Sequence, residues 1–259
     1  MWNIKSIWNG SISFGLVNIP VRMYSAIQGK GINFKLLEKE SLSPIKYYRT
    51  CATCDGREIP WSEVVKGIEL EDGEYFVISQ ERLRELRPKR TDTIEITEFI
   101  DGEQVDKVFI DKHYYLGPER KGQKTYHLFR EVLQRSAKAA LGKFVLRDKE
   151  HLCTIEGYGR GLLLTTLNYR DEIREISDVV GTEGEVTLNE KEVDLAEELI
   201  ERMTGRDNDI GRYENSFENE IRALIERYRS GERETFQEGP VRETDDDTIL
   251  EALLASLED

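Results

Sequence analysis

Between residues 8 and 24 the chain reads WNGSISFGLVNIPVRMY, and its apolar positions change phase partway along. Trp8, Gly10, Ile12, Phe14 and Leu16 occupy even positions, with Asn9, Ser11 and Ser13 between them; Val17, Ile19, Val21 and Met23 then occupy odd ones. A period of two predicts a strand with one buried face. A slip of one residue would turn every side chain to the other face, so the change of phase predicts a bulge or bend near Gly15 that re-aims one continuous strand. A barrel strand bends in this way, and an ordinary sheet or sandwich strand fits the same pattern.

Residues 32–37 and 45–50 read as two further strands, and 73–78 as a strand that brings the chain back. Ser79 stands where it caps a short helix, QERLREL, that Pro88 ends. Alternation over 93–100 and 103–110 around Asp101-Gly102 predicts a hairpin, and HYYLG is a strand stopped by Gly117-Pro118. Over 122–140 a helical period takes over, with Tyr126, Phe129, Val132, Leu133, Ala137 and Ala140 on its apolar stripe. Residues 142–146, 151–155 and 161–169 return to strand, and the glycine-rich GYGRG between the last two lacks the strand-to-helix context and the Lys-Ser/Thr of a nucleotide loop.

Past residue 170 the pattern is helical. Asn189 caps a helix lined by Val193, Ala196, Leu199, Ile200 and Met203, and 213–229 repeats the pattern with Phe217, Ile221, Leu224, Ile225 and Tyr228 before Gly231 stops it. The order, strands first and helices after, predicts a mainly β, α+β chain: a core over 1–180 with an arm at about 34–90, a helical region over 181–232, an acidic linker over 233–247, and a short amphipathic helix over 248–259. That last helix places Ile249, Leu250, Leu253, Leu254 and Leu257 on one side. A helix so short is marginal in water, so it docks either on its own protein or on a partner.

At 259 residues with 38% hydrophobic content the chain is long and apolar enough to bury a core. It has no run of 18 uncharged apolar residues and no signal-peptide pattern, and its three cysteines fit a reducing cytoplasm better than a disulfide framework. The net charge is −14, but residues 1–180 sum to +1 and residues 181–259 to −15. Within the first part, residues 120–149 carry nine basic residues against Glu131 and Asp148. A second basic concentration covers 81–90. Either cluster is a solvated face or a phosphate-binding one.

Lys46 and Arg49 interleave with Tyr47 and Tyr48 just before Cys51-x-x-Cys54. Two thiolates at this spacing supply half of a tetrahedral zinc site. His113, His127, His151 and Cys153 are too scattered to complete it within one chain. The pair is therefore an ordinary turn, or half of a zinc site shared by two chains across a dyad.

The stretch WNGSISFGLVNIPVRMYSA closely resembles the opening of the prokaryotic Ku proteins, the DNA-end-binding factors of non-homologous end joining. IKYYRTCATC with VVKGIELEDGEYFVIS, then FIDKHYYLGPERKGQKTYHLFREVLQ, GKFVLRDKEHLCTIEGYGRGLLLTTLNYRDEIR and YENSFENEIRALIERYRSGE look like successive blocks of that family in its order. The resemblance runs from Trp2 to about Glu232. It implies a β-barrel core with a bridge arm arching over DNA, a homodimeric ring on double-stranded DNA ends, and a C-terminal segment that recruits an ATP-dependent DNA ligase and its end-processing enzymes. It also implies a cytoplasmic, nucleoid-associated protein that is not an enzyme and needs no cofactor. DNA-binding candidates on this basis are Lys35, Lys46, Arg49, Arg87, Lys89, Arg90, Lys124, Arg130, Arg135, Lys138 and Lys143; the partner-binding candidates are Ile249, Leu250, Leu253, Leu254 and Leu257. The chain ends without the lysine-rich tail of many bacterial relatives and lacks the von Willebrand-type domain of the eukaryotic subunits.

A compact chain of this length has a radius of gyration of about 18 Å, too small to surround a duplex roughly 20 Å wide, whereas two chains with extended arms suffice. The competing classes are a metal-dependent nuclease and a scaffold that binds no DNA. The sequence has no HxH, HD or Ser-His-Asp arrangement, which weighs against catalysis, and a scaffold leaves the basic 120–149 segment without a role.

Overall fold

The computed structural model describes residues 4–29, 31–86, 92–182, 184, 187–205 and 209–231. The phase change at residue 15 is a hairpin rather than a bend. β1 (Trp8–Phe14) and β2 (Val17–Ser25) pair antiparallel, with Trp8 opposite Met23, Ile12 opposite Ile19 and Phe14 opposite Val17. Even positions on one strand and odd positions on the other thus share one face, and Ile12, Ile19, Val21 and Met23 are fully buried. Gly15, at φ +55, takes the first place of the two-residue turn, where glycine accepts the left-handed conformation without a Cβ clash.

The strands β5 (Thr93–Asp101), β6 (Ile110–Pro118), β7 (Lys138–Leu146), β8 (Lys149–Tyr158) and β9 (Gly161–Leu167) join this hairpin in a closed seven-stranded barrel, order β1-β2-β6-β9-β8-β7-β5. Between β2 and β5 the chain forms the small hairpin β3 (Lys66–Glu69) and β4 (Tyr75–Ile78) and the helix α1 (Gln80–Leu86). The barrel closes through the parallel pair of β1 with β5, Ser11 beside Thr93 and Ile12 beside Ile94. Gly10 makes that approach possible, because a Cβ there would lie 2.3 Å from the Asp92 carbonyl oxygen.

The hairpin expected over 93–110 does not form. β5 pairs with β1 and β7, β6 pairs with β2 and β9, and two short 3-10 turns over 102–109 separate them, one capped by Asp106 accepting from the Val108 amide. Barrel closure takes both edges of each strand and leaves none for the other. The remaining strands are present: those expected at 142–146 and 151–155 extend to β7 and β8, while the one expected at 161–169 ends two residues early as β9.

The helix expected over 122–140 is α2 (Gln123–Ser136) and stops four residues early. Ala137 turns left-handed at φ +51 and Ala140 is a buried strand residue in β7. Tyr126, Phe129 and Leu133 enter the barrel core, where Phe129 stacks on Phe14 at 5.1 Å and meets Phe99 edge-on. These contacts lie at the ends of β1 and β5, so α2 plugs one mouth of the barrel. Val132, placed by periodicity on the same stripe, is exposed. At the opposite mouth Trp8 packs edge-on against Phe144.

The chain divides into two compact units, Met1–Lys30 with Phe34–Glu175, and Gly31–Asn33 with Ile176–Asp259. In the second, α3 (Glu190–Met203) begins where the Asn189 side chain accepts from the Lys191 amide, and α4 (Ser216–Arg229) where Asn215 accepts from the Glu218 amide. Both expected helices are present, and neither buries a residue. The expected helix over 248–259, with Ile249, Leu250, Leu253, Leu254 and Leu257, lies outside the described residues. Among the described residues no helix is long and apolar enough to cross a membrane.

Candidate nucleic-acid interface

Residues 34–86 leave the barrel after β2 and return just before β5, so they form an arm rooted at the mouth opposite α2. The strands expected at 32–37 and 45–50 are not strands: only Leu37 and Pro44 make an isolated bridge there. Among the described residues no strand pairs with either segment to form the ladder that would fix it. Between them Glu38 accepts the amides of Glu40 and Ser41 at 3.0 and 2.7 Å, which holds its carboxyl down to about 2. Ser79 caps α1 as expected, its hydroxyl accepting from the Arg82 amide at 3.1 Å.

Arg49 clamps the arm's loop. The Ile59 amide donates to the Arg49 carbonyl at 2.7 Å, the Arg49 Nε donates back to the Ile59 carbonyl at 3.2 Å, and the guanidinium lies 4.8 Å from the centre of the Trp61 ring. Lys35 and Lys46 are exposed on the same arm. So are large apolar groups: Tyr47 is 78% exposed, Trp61 71% and Phe34 71%, while β3 and β4 bury no residue. Arg87, Lys89 and Arg90 lie outside the described residues.

The barrel divides the basic segment over 120–149 between its two mouths. Lys124, Arg130, Arg135 and Lys138 sit at the α2 mouth. Arg130 is structural in character: its side chain is 21% exposed, and one nitrogen donates to the Arg160 carbonyl at 3.2 Å, tying α2 to the β8–β9 turn. Its Nε is a buried donor without a partner among the described residues. Arg135 pairs with Glu131 at 2.9 Å and Lys138 with Asp101 at 3.5 Å, whereas Lys124 is exposed without an ion pair among the described residues. At the arm mouth stand Lys143, Arg147 and Lys149.

Lys143 donates to Glu150 at 3.1 Å, and the Tyr169 hydroxyl donates to the same oxygen at 3.1 Å. The Lys143 bond first, then that of Tyr169, lowers the Glu150 pKa; burial, reinforced by Glu150, pushes the Tyr169 hydroxyl up to about 12. Arg147 and Asp148 form the β7–β8 turn at φ +51 and +67, with Leu146 opposite Lys149. Two non-glycine residues in left-handed conformations are costly, and such strain gathers at functional sites. Periodicity placed strands on either side of this turn but not its left-handed conformation, because it lacks the Gly or Asn that marks most turns of its kind.

Cys51 and Cys54 are joined as a disulfide across their turn, with Cα atoms 5.3 Å apart. That corrects the expectation of free thiols: in this form neither sulfur is a thiolate able to bind a metal. Among the described residues there is no group of three or more His, Cys, Asp or Glu side chains placed to hold one. Cys153 is buried in the barrel, which pushes its thiol up to about 12 and makes it a packing residue.

The family description "Ku70/Ku80 beta-barrel domain" matches residues 13–195. Similar proteins named "Non-homologous end joining protein Ku" occur in Heliobacterium modesticaldum, 40% identical over 201 residues, covering 78% of this chain and 72% of that protein. The one from Pseudomonas aeruginosa is 38% identical, covering 86% of this chain and 76% of the relative. The one from Archaeoglobus fulgidus is 33% identical over 255 residues, covering 98% of this chain and 99% of the relative. With a closed barrel under a matching family description and relatives aligned over most of both chains, this chain belongs to the prokaryotic Ku family.

Proposed function

We propose that two copies of this chain close into a ring that binds double-strand DNA ends without reading sequence, and that the ring recruits an ATP-dependent DNA ligase for non-homologous end joining. The observation that carries the reading is the arm: β3 and β4 are four-residue strands with no buried side chain, and large apolar groups stay exposed along residues 34–86. A lone two-stranded hairpin is marginal in water, so such an arm is built to be covered. A second copy, related by a dyad, supplies a matching arm, and the two together span a duplex.

The ring selects ends by topology, since a closed loop loads only where a duplex stops. Contact falls on the phosphates, which carry no sequence information, through Arg147, Lys149, Lys143 and the arm residues Lys35, Lys46 and Arg49. The acidic part beyond residue 180 stays away from DNA and discourages sticking along its sides. Its apolar positions Ile249, Leu250, Leu253, Leu254 and Leu257 are the ligase-docking residues of this reading.

The test is a gel shift in magnesium on a blunt linear duplex and on a covalently closed circle of equal length, scored for retardation and cleavage. Retardation of intact linear DNA with little binding of the circle is expected. Equal binding of both forms sinks the ring, and cleavage makes the protein a nuclease.

A further inference from the structure

We infer that the open flank of α2 is the resting site of the chain's own last residues, 245–259. The inference deepens the reading above, in which the same residues dock a ligase: they are held at home until displaced.

One flank of α2 is tied down. Arg130 and Gln134 donate from it to the carbonyls of Arg160 and Gly159, at 3.2 and 3.0 Å, in the β8–β9 turn. Leu128 and Val132 stand on the opposite flank by helical spacing, and both are exposed. The barrel order puts β1 and β5 across from β8 and β9, so this free flank runs beside the tip of the β1–β2 hairpin, where Leu16 is wholly in solvent. Phe14, Phe99 and Phe129 form the floor, with Phe99 meeting the other two rings at 6.0 and 6.4 Å and itself exposed. Leu16, Phe99, Leu128 and Val132 thus stay uncovered around one notch, and an apolar patch of this kind marks a docking site.

Charge chooses the occupant. Lys124 and Arg135 stand eleven residues apart, beyond the two ends of the Leu128–Val132 pair, about 16 Å along a helix. Lys124 makes no ion pair among the described residues, and Arg135 pairs with Glu131 in an exposed bond of little strength. The notch is therefore apolar in the middle and basic at both ends. Residues 245–259, DDDTILEALLASLED, lie outside the described residues and carry the complement. Asp247 and Glu258, also eleven residues apart, bracket Ile249, Leu250, Leu253, Leu254 and Leu257, and no basic residue interrupts them. As a helix this segment lays its apolar side into the notch while its acids meet the lysine and the arginine. A helix so short needs such a support. A segment carried on the same chain also meets its site at a far higher effective concentration than a free partner does. The basic residues of the α2 mouth thereby gain a role that phosphate contact does not give them.

In the test, the full-length protein with Leu128 replaced by benzoylphenylalanine is irradiated and its cross-linked peptides are mapped. Cross-links to 245–259 within one chain are expected, at a yield independent of protein concentration. Leu253→Asp with Leu254→Asp should lower that yield about tenfold or more, by setting carboxylates on the apolar side. Lys124→Glu with Arg135→Glu should lower it as well, and adding Asp247→Lys with Glu258→Lys should restore it. The exchange of charges is the decisive arm, since a barrel merely disturbed by the first pair is not repaired by the second. Cross-links that grow with concentration assign the notch to the tail of a second copy, and cross-links that miss 245–259 leave it to another partner; either result overturns the docking. Failure here leaves the ligase reading standing, and the ring too, which the gel shift above reads separately.

Discussion

Lys143 and Glu150 face each other across β7 and β8, Nζ to Oε1 at 3.1 Å, at the barrel mouth where the arm is rooted. The pair is about half exposed, so it contributes little to stability. Its consequence is functional: the one lysine expected from the sequence to touch phosphate at this mouth already has a carboxylate on its ammonium group. Arg147 and Lys149, four and six residues on, make no ion pair among the described residues.

Charge reversal should therefore separate the two mouths. Arg147→Glu with Lys149→Glu weakens binding to linear duplex and lowers the dependence of log affinity on log salt by roughly 1 for each phosphate no longer neutralised. Lys124→Glu with Arg135→Glu, at the α2 mouth, changes both far less. Glu150→Gln, which frees Lys143, strengthens binding. Salt titrations of fluorescence anisotropy on one labelled duplex decide the matter; the opposite ranking of the two double variants would place the DNA at the α2 mouth.

Tyr126 fastens α2 into the barrel by a hydroxyl that donates to the Leu116 carbonyl and accepts from the Leu162 amide at 3.0 Å. Burial raises its pKa, and the group stays neutral. Tyr126→Phe keeps the ring and leaves both backbone groups unpaired inside the barrel, which costs about 1–3 kcal/mol. Urea unfolding should show a lower midpoint at unchanged slope. No change in midpoint would mean that water replaces the hydroxyl.

How far the sequence foretold these features depended on the distance over which each is set. The face of β1 and β2 was legible, since Ile12 and Ile19 alternate correctly, but a continuous strand and a hairpin differ only in whether Gly15-Leu16 is read as a bend or a turn. The stripe of α2 gave Tyr126, Phe129 and Leu133 correctly and misplaced Ala140, because alanine suits a helix end and a packed strand equally. Arg130 was marked by charge alone, while its role is fixed by a carbonyl 30 residues away. The same holds for 103–110, where alternation suggested a strand and the choice of partners was made by barrel closure. Local patterns reveal faces; which charges share a mouth is decided by pairings that no window contains.

His151 supplies a pH dependence with a definite sign. Burial beside Phe144, whose ring is 5.6 Å away, lowers its pKa below 6.5 despite the Leu146 backbone bond and Asp111, which favour the charged form; Lys149 and Lys112 add to the lowering. In the window from 6.5 down to the folded-state value, the unfolded chain binds more protons than the folded one. Stability is therefore full above pH 6.5 and falls as the pH drops through that window, and the loss is complete below the folded pKa. His151→Gln should flatten this part of the profile. Melting temperatures measured at half-unit steps test it, and equal slopes for both proteins would assign the loss to other groups.

The arm sets the last prediction. Phe76 and Val77 on β4 and Trp61 before β3 are all exposed, on a hairpin whose register, Ile68 opposite Phe76, needs no other part of the same chain. If a second copy covers these groups, removing them lowers self-association without harming the barrel, whose core residues Ile12, Leu116 and Ile155 lie elsewhere. Trp61→Ala with Phe76→Ser should shift sedimentation from dimer toward monomer while the thermal unfolding of the barrel stays within about 1 kcal/mol of the parent, as expected for exposed positions. Buried interface aromatics often contribute about 2 kcal/mol or more each, so the dimer constant should weaken by roughly a hundredfold or more. DNA binding then becomes the discriminating measurement. A monomer that still prefers ends separates end recognition from the ring and requires a site on one barrel alone; a monomer that has lost the preference for linear over closed DNA, yet keeps weak salt-sensitive affinity, makes the paired arms the source of selectivity.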